Sequence, residues 1–322
     1  GLQDTVWRQV QSVVRQDDVQ QTLTGVFGES DMGWVEGLRT VAGLRADQFS
    51  ARVNSQVQAQ NSGSSSAAQL SPKLSVILGP WMKTEWFVNA GRGFHSNDAR
   101  GTTARVDPRT GLPVQAVPGL VSARGQELGV KSQWIPQWQS TLSLWRLDFD
   151  SELVYVGDTG NTVAGRASRR TGLEWSNHWT PGKHVVMDAN LAWTRPRYTD
   201  MASSGDAIAN AMQRVANWTL ALKNVGQWSG ALGIRSLGSA PLNTNDTVRS
   251  ASSTTANLRV QRQWADDLTW ALDVLNLTDR KNNDISYYYT SRVGSEPPAG
   301  VSDLHIHPAE PRTFRFTVSK RL

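Results

Sequence analysis

The sequence predicts an all-β fold: a transmembrane antiparallel up-and-down β-barrel, with about 14 strands in the chain. Three observations point there. Apolar and polar residues alternate along several stretches, while the i, i+3, i+4 spacing of helices is weak. The joints between those stretches are tight and long in turn, the layout of a barrel with short turns at one rim and long loops at the other. Tryptophan outnumbers the other aromatics, 14 against 7 Phe and 5 Tyr, and gathers beside the tight joints, where amphipathic rings form an interfacial girdle.

Composition removes competing classes. No apolar run nears the ~18 residues of a membrane helix; the longest, Val76–Met82, is interrupted by Gly79 and Pro80. The chain has no cysteine, which excludes disulfides, thiolate metal sites and thiol catalysis. Its 33 Lys and Arg against 28 Asp and Glu leave a net charge of +5, with the basic residues scattered singly. No nucleic-acid partner is expected from that distribution.

In chain order, Gly1–Val14 lacks the basic, apolar and small-residue regions of a secretory leader, so either a leader has been removed or the sequence begins inside a longer protein. Strands are expected from about Thr5, with a first tight turn at Asp31–Gly33 and a Ser/Gln-rich loop at Asn54–Gln69. Leu70, Pro72, Leu74, Val76 and Leu78 share one face against Ser71, Lys73 and Ser75, and Gly79–Lys83 turns the chain. After a long loop at His95–Val121, Leu128, Val130 and Trp134 oppose Glu127, Lys131 and Gln133 up to the turn Ile135–Gln137. The sharpest alternation sets Trp145, Leu147, Phe149, Leu153 and Tyr155 against Arg146, Asp148, Asp150 and Glu152, ahead of a shorter loop at Gly157–Asn161. Between the turn Pro181–Lys183 and the loop Tyr198–Ala211, Val185, Met187, Ala189, Leu191 and Trp193 oppose Asp188, Asn190 and Thr194. The turn Asn224–Gln227 and the loop Ala240–Ser252 follow. Ala256, Leu258, Val260 and Trp264 then oppose Asn257, Arg259 and Gln261, before the turn Ala265–Asp267 and the loop Asp279–Glu310. The last strand, Arg312–Leu322, puts Phe314, Phe316, Val318 and Leu322 on one face. The girdle comprises Trp34, Trp81, Trp86, Trp134, Trp138, Trp179, Trp228, Trp264 and Trp270.

Several pieces then carry a resemblance. They are Ser71-Pro72-Lys73-Leu74, Gly91–Gly101 (GRGFHSNDARG), Arg124–Val130 (RGQELGV), Leu144–Val156 (LWRLDFDSELVYV), Asp273–Lys281 (DVLNLTDRK) and His307–Leu322 (HPAEPRTFRFTVSKRL). By their order and spacing, nearly the whole chain resembles the C-terminal barrel portion of TonB-dependent outer-membrane receptors. Lys320 and Leu322 depart from the aromatic ending of that family. The resemblance implies a barrel of about 22 strands with a plugged lumen, of which residues 1–322 are one part, without the plug domain or the TonB box. It further implies TonB-energised uptake of a scarce nutrient, such as an iron chelate or cobalamin, across a Gram-negative outer membrane. Its partners would be outer-membrane lipid, the plug domain, the TonB complex and a small-molecule nutrient ligand. A self-contained channel or porin of about 14 strands is the rival reading, and a hydrolase using His95 or His305 is a third.

The candidate site residues fall into three groups. His95 enters a long loop beside Asn97, Asp98 and Arg100, a polar cluster able to meet a ligand or to pack against a plug or loop. His305 and His307, two residues apart, share a strand face, as ligand contacts would; local hydrogen bonding at a loop rim is the competing reading, and no metal site or cofactor is assigned. Tyr287, Tyr288 and Tyr289 alternate between faces, so at least one points into the lumen. The third group is a lumen-facing charge ladder, Arg146, Asp148, Asp150 and Glu152, joined by Arg166 and Arg170 across a hairpin centred near Thr159. That register sets Glu152 opposite Arg166 and Asp148 opposite Arg170. A wet lumen lacks the desolvated pocket that paired catalytic carboxylates need. No G-x-S-x-G elbow, P-loop or dinucleotide fingerprint is present, so no catalytic residue and no enzymatic activity are expected.

Overall fold

The computed structural model describes residues 2–6, 8–151, 153–156, 161–200 and 204–321. Two short strands, β1 (Leu2–Val6) and β2 (Gln9–Arg15), pair with each other. A long meander follows, from β3 (Asp17–Val35), β4 (Leu38–Ser55), β5 (Gly63–Trp81) and β6 (Thr84–Ser96) to β7 (Leu120–Ser132) and β8 (Trp138–Phe149). A separate hairpin, β9 (Leu153–Val156) with β10 (Asn161–Ala164), interrupts it. The meander resumes with β11 (Ser168–Gly182), β12 (Val185–Tyr198), β13 (Arg214–Val225), β14 (Trp228–Leu237), β15 (Ser253–Ala265) and β16 (Leu268–Leu275). A second outlying hairpin, β17 (Asn283–Ser291) with β18 (Val301–Pro308), precedes β19 (Thr313–Lys320). The meander strands form one 13-stranded sheet with β3 and β19 at its edges. Chain contacts gather into two units, one of Gly1–Ile77, Val88–Glu127 and Arg146–Arg169, the other of Leu78–Phe87, Leu128–Trp145 and Arg170–Leu322.

The joints alternate as expected. Tight ones fall at 36–37, 82–83, 133–137, 183–184, 226–227 and 266–267; long ones carry the remaining loops and both hairpins. The first tight turn is displaced from Asp31–Gly33, because β3 runs straight through Gly33. Gly37, at φ 83°, supplies the left-handed conformation that closes the turn. The Ser-rich loop shrinks to 56–62, since Gly63–Gln69 already extend as part of β5. Two buried asparagines fasten loop ends. Asn61 Oδ1 accepts from the N–H groups of Arg105 (2.8 Å) and Val106 (3.0 Å), and its Nδ2 donates to the Val106 carbonyl (3.0 Å). Asn276, in the DVLNLTDRK segment, donates to the carbonyls of Arg280 (2.9 Å) and Glu310 (3.2 Å).

In the second unit the register sorts the two faces. Leu191 pairs with Ala216, Trp218 with Ile234, Leu232 with Leu258, Val260 with Leu272 and Leu272 with Phe316, all on one side. The other side pairs Asp188 with Thr219, Asn217 with Arg235, Gly233 with Asn257 and Arg259 with Asp273, where a guanidinium nitrogen lies 2.9 Å from the carboxylate. The apolar side is the exposed one: Leu191, Trp193, Phe314, Phe316 and Val318 all stand open. A water-soluble sheet would bury that side, so this pattern belongs to a lipid-facing wall.

In the first unit the buried cluster is Phe49, Ala51, Val53 and Ala99, with Ala67 and Leu120 against it. Here the 97–119 loop and its short helix α1 (Ala99–Thr102) pack on the side of β4 that carries Gly43, Asp47 and Phe49. Gly119 allows that approach, because a Cβ there would come within 2.7 Å of the Phe49 ring.

Candidate functional site

The first cluster is built where β6 ends. Asn97 donates its backbone N–H to the Gly119 carbonyl (3.0 Å) and its Nδ2 to the Pro118 carbonyl (2.7 Å), drawing both ends of the 97–119 loop together. Asp98 caps α1, accepting from the Arg100 backbone N–H and from its guanidinium Nε, each at 2.9 Å. That side-chain bond holds the Asp98 carboxyl below the usual carboxylate range, against the opposing pull of burial. Asn97, Asp98 and Arg100 share a cavity of about 470 Å³ with Arg15, Asp17 and Gln21. Asn97 is 2% exposed, and its Oδ1 has no hydrogen-bond partner among the described residues. His95 lies outside that lining; its ring sits 5.8 Å from Phe149, and its buried Nε2 has no hydrogen-bond partner among the described residues.

Arg15 and Asp17 were not among the expected site residues. They flank Gln16, the single residue between β2 and β3, and form an ion pair at 2.5 Å with side chains only 5% and 3% exposed. The signal available in the sequence was an opposite-charge pair two residues apart at a joint. Both carboxylates of the cavity are thus paired with arginines, which leaves it near neutral. The spare Asn97 acceptor favours a ligand group that donates N–H or O–H.

The second cluster rides on the β17–β18 hairpin. Tyr287 pairs with His305, Ile285 with His307 and Tyr289 with Asp303, so these six residues share one face, and Tyr288 falls on the other with Leu304. Tyr289 stacks on the His305 imidazole, centroids 3.8 Å apart and planes at 15°, while the buried His305 Nε2 has no hydrogen-bond partner among the described residues. His307 Nδ1 stands 3.9 Å from Asp284, with both side chains exposed. Tyr287 and Asp284 also line a cavity of about 230 Å³ with Asn283 and Ser250. Among the described residues no three His, Asp or Glu side chains gather as a metal site would require.

The charge ladder is placed otherwise than expected. On β8, Leu142 and Leu144 are 39% and 52% exposed while Ser143 is buried, and strand alternation puts Arg146 and Asp148 on the side of the two leucines. The opposite parity is tied to the polar side. The Trp145 ring covers Gly172, on the face of β11 that carries His178, and His178 bonds Asp188 of β12 at 2.7 Å. Arg146 and Asp148 therefore lie on the apolar side, with Asp150 just past the strand end, and Trp145, Leu147 and Phe149 face inward. The expected parity is reversed because these aromatics have inner partners near the long loops. Phe149 meets His95, and the Leu147 side chain comes within 3.8 Å of where a Cβ would stand on Gly125. The register also differs by one residue: Asp148 bonds Arg169 (2.6 Å) and Arg146 (2.6 Å), where Arg170 was expected. Arg166 precedes β11, and Glu152 and Thr159 lie outside the described residues.

The family model for the TonB dependent receptor-like beta-barrel matches residues 2–277. The chain belongs to that family. It is accordingly an outer-membrane barrel, and its exposed apolar side faces lipid. No curated protein sequence matches the chain. Among solved structures, the closed form of the ferric-catecholate import receptor Fiu from E. coli K12 aligns with a TM-score of 0.73 at 15% identity, over 94% of this chain and 45% of its own. The siderophore receptor PiuA from Acinetobacter baumannii aligns at 0.71 and 14% identity, over 95% and 44%. The ferric yersiniabactin uptake receptor FyuA from Yersinia pestis aligns at 0.71 and 13%, over 94% and 46%. The TonB-dependent receptor barrel described here spans less than half the length of each.

Proposed function

We propose that this chain is the transport barrel of a receptor that imports a scarce nutrient, such as an iron chelate or cobalamin, with energy from the TonB complex. No reaction is assigned to it. The observation that carries the reading is the family match, joined to a polar cavity beneath the long loop 97–119. In this reading each unit offers ligand contacts of its own: Asn97, Asp98 and Arg100 in the first, and Tyr287, Tyr289, His305 and His307 on the hairpin of the second. The plug domain and TonB would be the partners that convert binding into uptake. Two of the structures named above are receptors for ferric chelates, which makes that class the first to try.

The test uses cells carrying the full-length gene and radiolabelled ferric chelates. Uptake should disappear on deleting either this gene or tonB, and Asn97→Ala should weaken ligand binding severalfold, as a lost contact would. Uptake that persists without TonB would overturn the reading in favour of a passive pore.

A further inference from the structure

We propose that the lipid-facing wall of β13, β14 and β15 holds one glycerophospholipid at its tight-turn end. One acyl chain lies in an apolar groove of that wall, and the phosphate rests on Arg262. Three observations carry this. First, the wall has a gap. Register aligns Leu222 with Gly230, Gly230 with Val260 and Val260 with Leu272, in one row of the apolar side. Gly230 has no side chain to fill its place in that row. Apart from its chain neighbours, a Cβ built there would meet only the Arg259 carbonyl oxygen, at 3.2 Å. Leu222, Trp228, Leu232, Leu258 and Val260 frame the gap, and with Gly230 they line a cavity of about 370 Å³.

Second, a cation stands at the mouth of that groove. Arg262 pairs with Trp228 one row nearer the turns, on the same side of the sheet. Its guanidinium lies 5.3 Å from the Trp228 ring centroid and 4.8 Å from that of Trp264. Gln227 Oε1 accepts from its Nε (3.4 Å) and its Nη2 (3.2 Å), which orients the fork. Its Nη1 has no partner among the described residues, and no carboxylate there pairs with it. Asp267, in the adjoining turn, lies 3.8 Å from Lys320 instead. A cation at a membrane surface attracts anionic headgroups, and a planar guanidinium suits phosphate oxygens. Third, the depth matches. The tight turns of such a barrel lie on the periplasmic side. Arg262 and Leu258 are four residues apart, about 13 Å along the strand and about 10 Å along the membrane normal at barrel tilt. One leaflet's share of the ~25 Å apolar band is about 12 Å. A chain that enters beside Arg262 therefore keeps to the groove through most of the periplasmic leaflet.

The test takes the full-length protein, purified from outer membranes in mild detergent, and measures phosphatidylglycerol binding by native mass spectrometry. Wild type should retain one phosphatidylglycerol, with saturable binding. Arg262→Gln should lower the affinity on the order of fivefold, as one lost surface cation would. Gly230→Val, which fills the groove, should lower it severalfold, and Arg235→Gln, on the opposite face, should leave it unchanged. Diacylglycerol with the same chains and no phosphate should bind wild type as weakly as phosphatidylglycerol binds the Arg262→Gln variant. Failure of wild type to retain the lipid, equal binding of the two lipids, wild-type affinity in either groove variant, or binding that never saturates overturns the proposal. A dimer that Gly230→Val dissociates, with no lipid retained, also overturns it and assigns the groove to a second copy of the chain. If either variant loses the gel mobility of an unheated barrel, the comparison of the two lipids on wild type decides alone.

Discussion

At Asp98 a carboxylate is kept charged by the guanidinium it accepts from, and the sign of its pH dependence follows. Its carboxyl titrates lower in the folded chain than the ~3.9 of a free aspartate. The stabilisation is complete above that free value and is lost as pH falls through the lower folded value. Hydrogen exchange in residues 97–103, corrected for intrinsic rates, should thus show constant protection from about pH 5 to 7 and lose it only below about pH 4. Asp98→Ala should remove it at every pH, by about 1 kcal/mol, and less where solvent reaches the pair. A transition near neutral pH would assign the effect to another group. Asn97 is the other decisive residue. Its amide is committed to the Pro118 carbonyl, so its oxygen alone is left for a ligand.

Among elements, β8 carries the clearest reversal. Leu144 faces lipid and Phe149 faces inward, so Leu144→Arg should cost about 2–4 kcal/mol and impair barrel assembly. Thr141→Arg, on the inward parity of the same strand, should assemble nearly as well as wild type. Heat-shifted gel mobility reads both, and equal damage would restore the opposite parity. The loop 97–119 depends on an element it does not belong to. Asn61, in the 56–62 joint, holds Arg105 and Val106 by three hydrogen bonds. Asn61→Ala should cost about 2–3 kcal/mol, because buried backbone groups lose their partners. Limited proteolysis should then cut near Arg105 and Arg109, and an unchanged digest would show that the clasp is dispensable.

On the scale of the molecule, the exposed side of the sheet is apolar where that of a soluble sheet is polar, and its tryptophans gather beside the tight turns. Trp34, Trp81, Trp134, Trp228 and Trp264 are exposed and all adjoin tight turns. Arg262 lies 5.3 Å from the Trp228 ring centroid and 4.8 Å from that of Trp264, a cation held against the belt. In reconstituted vesicles, bromines placed high on the acyl chains should quench tryptophan fluorescence more than bromines near the chain ends. Stronger quenching from the deep position would place the rings mid-wall instead.

By itself the sequence determined the class of fold, the order of tight and long joints, the girdle and the parity of strands such as β12 and β15. Each of these depends on contrasts between adjacent residues, and a pleated strand converts such contrasts directly into two faces. The common face of His305 and His307 and the alternation of Tyr287, Tyr288 and Tyr289 were legible for the same reason, but the hairpin that sets Tyr287 and Tyr289 on the histidines' face was not. Tertiary structure alone decided the rest. Near the long loops the inner side is covered by folded chain, so Trp145, Leu147 and Phe149 could turn inward and Arg146 and Asp148 outward without breaking the alternation. The cavity of Arg15, Asp17, Asn97 and Asp98 joins residues some eighty positions apart, and no local pattern encodes which distant backbone a loop will pack against. Register across β8 and β11 has the same origin: one residue of slip exchanges Arg170 for Arg169, and only the packed sheet chooses between them.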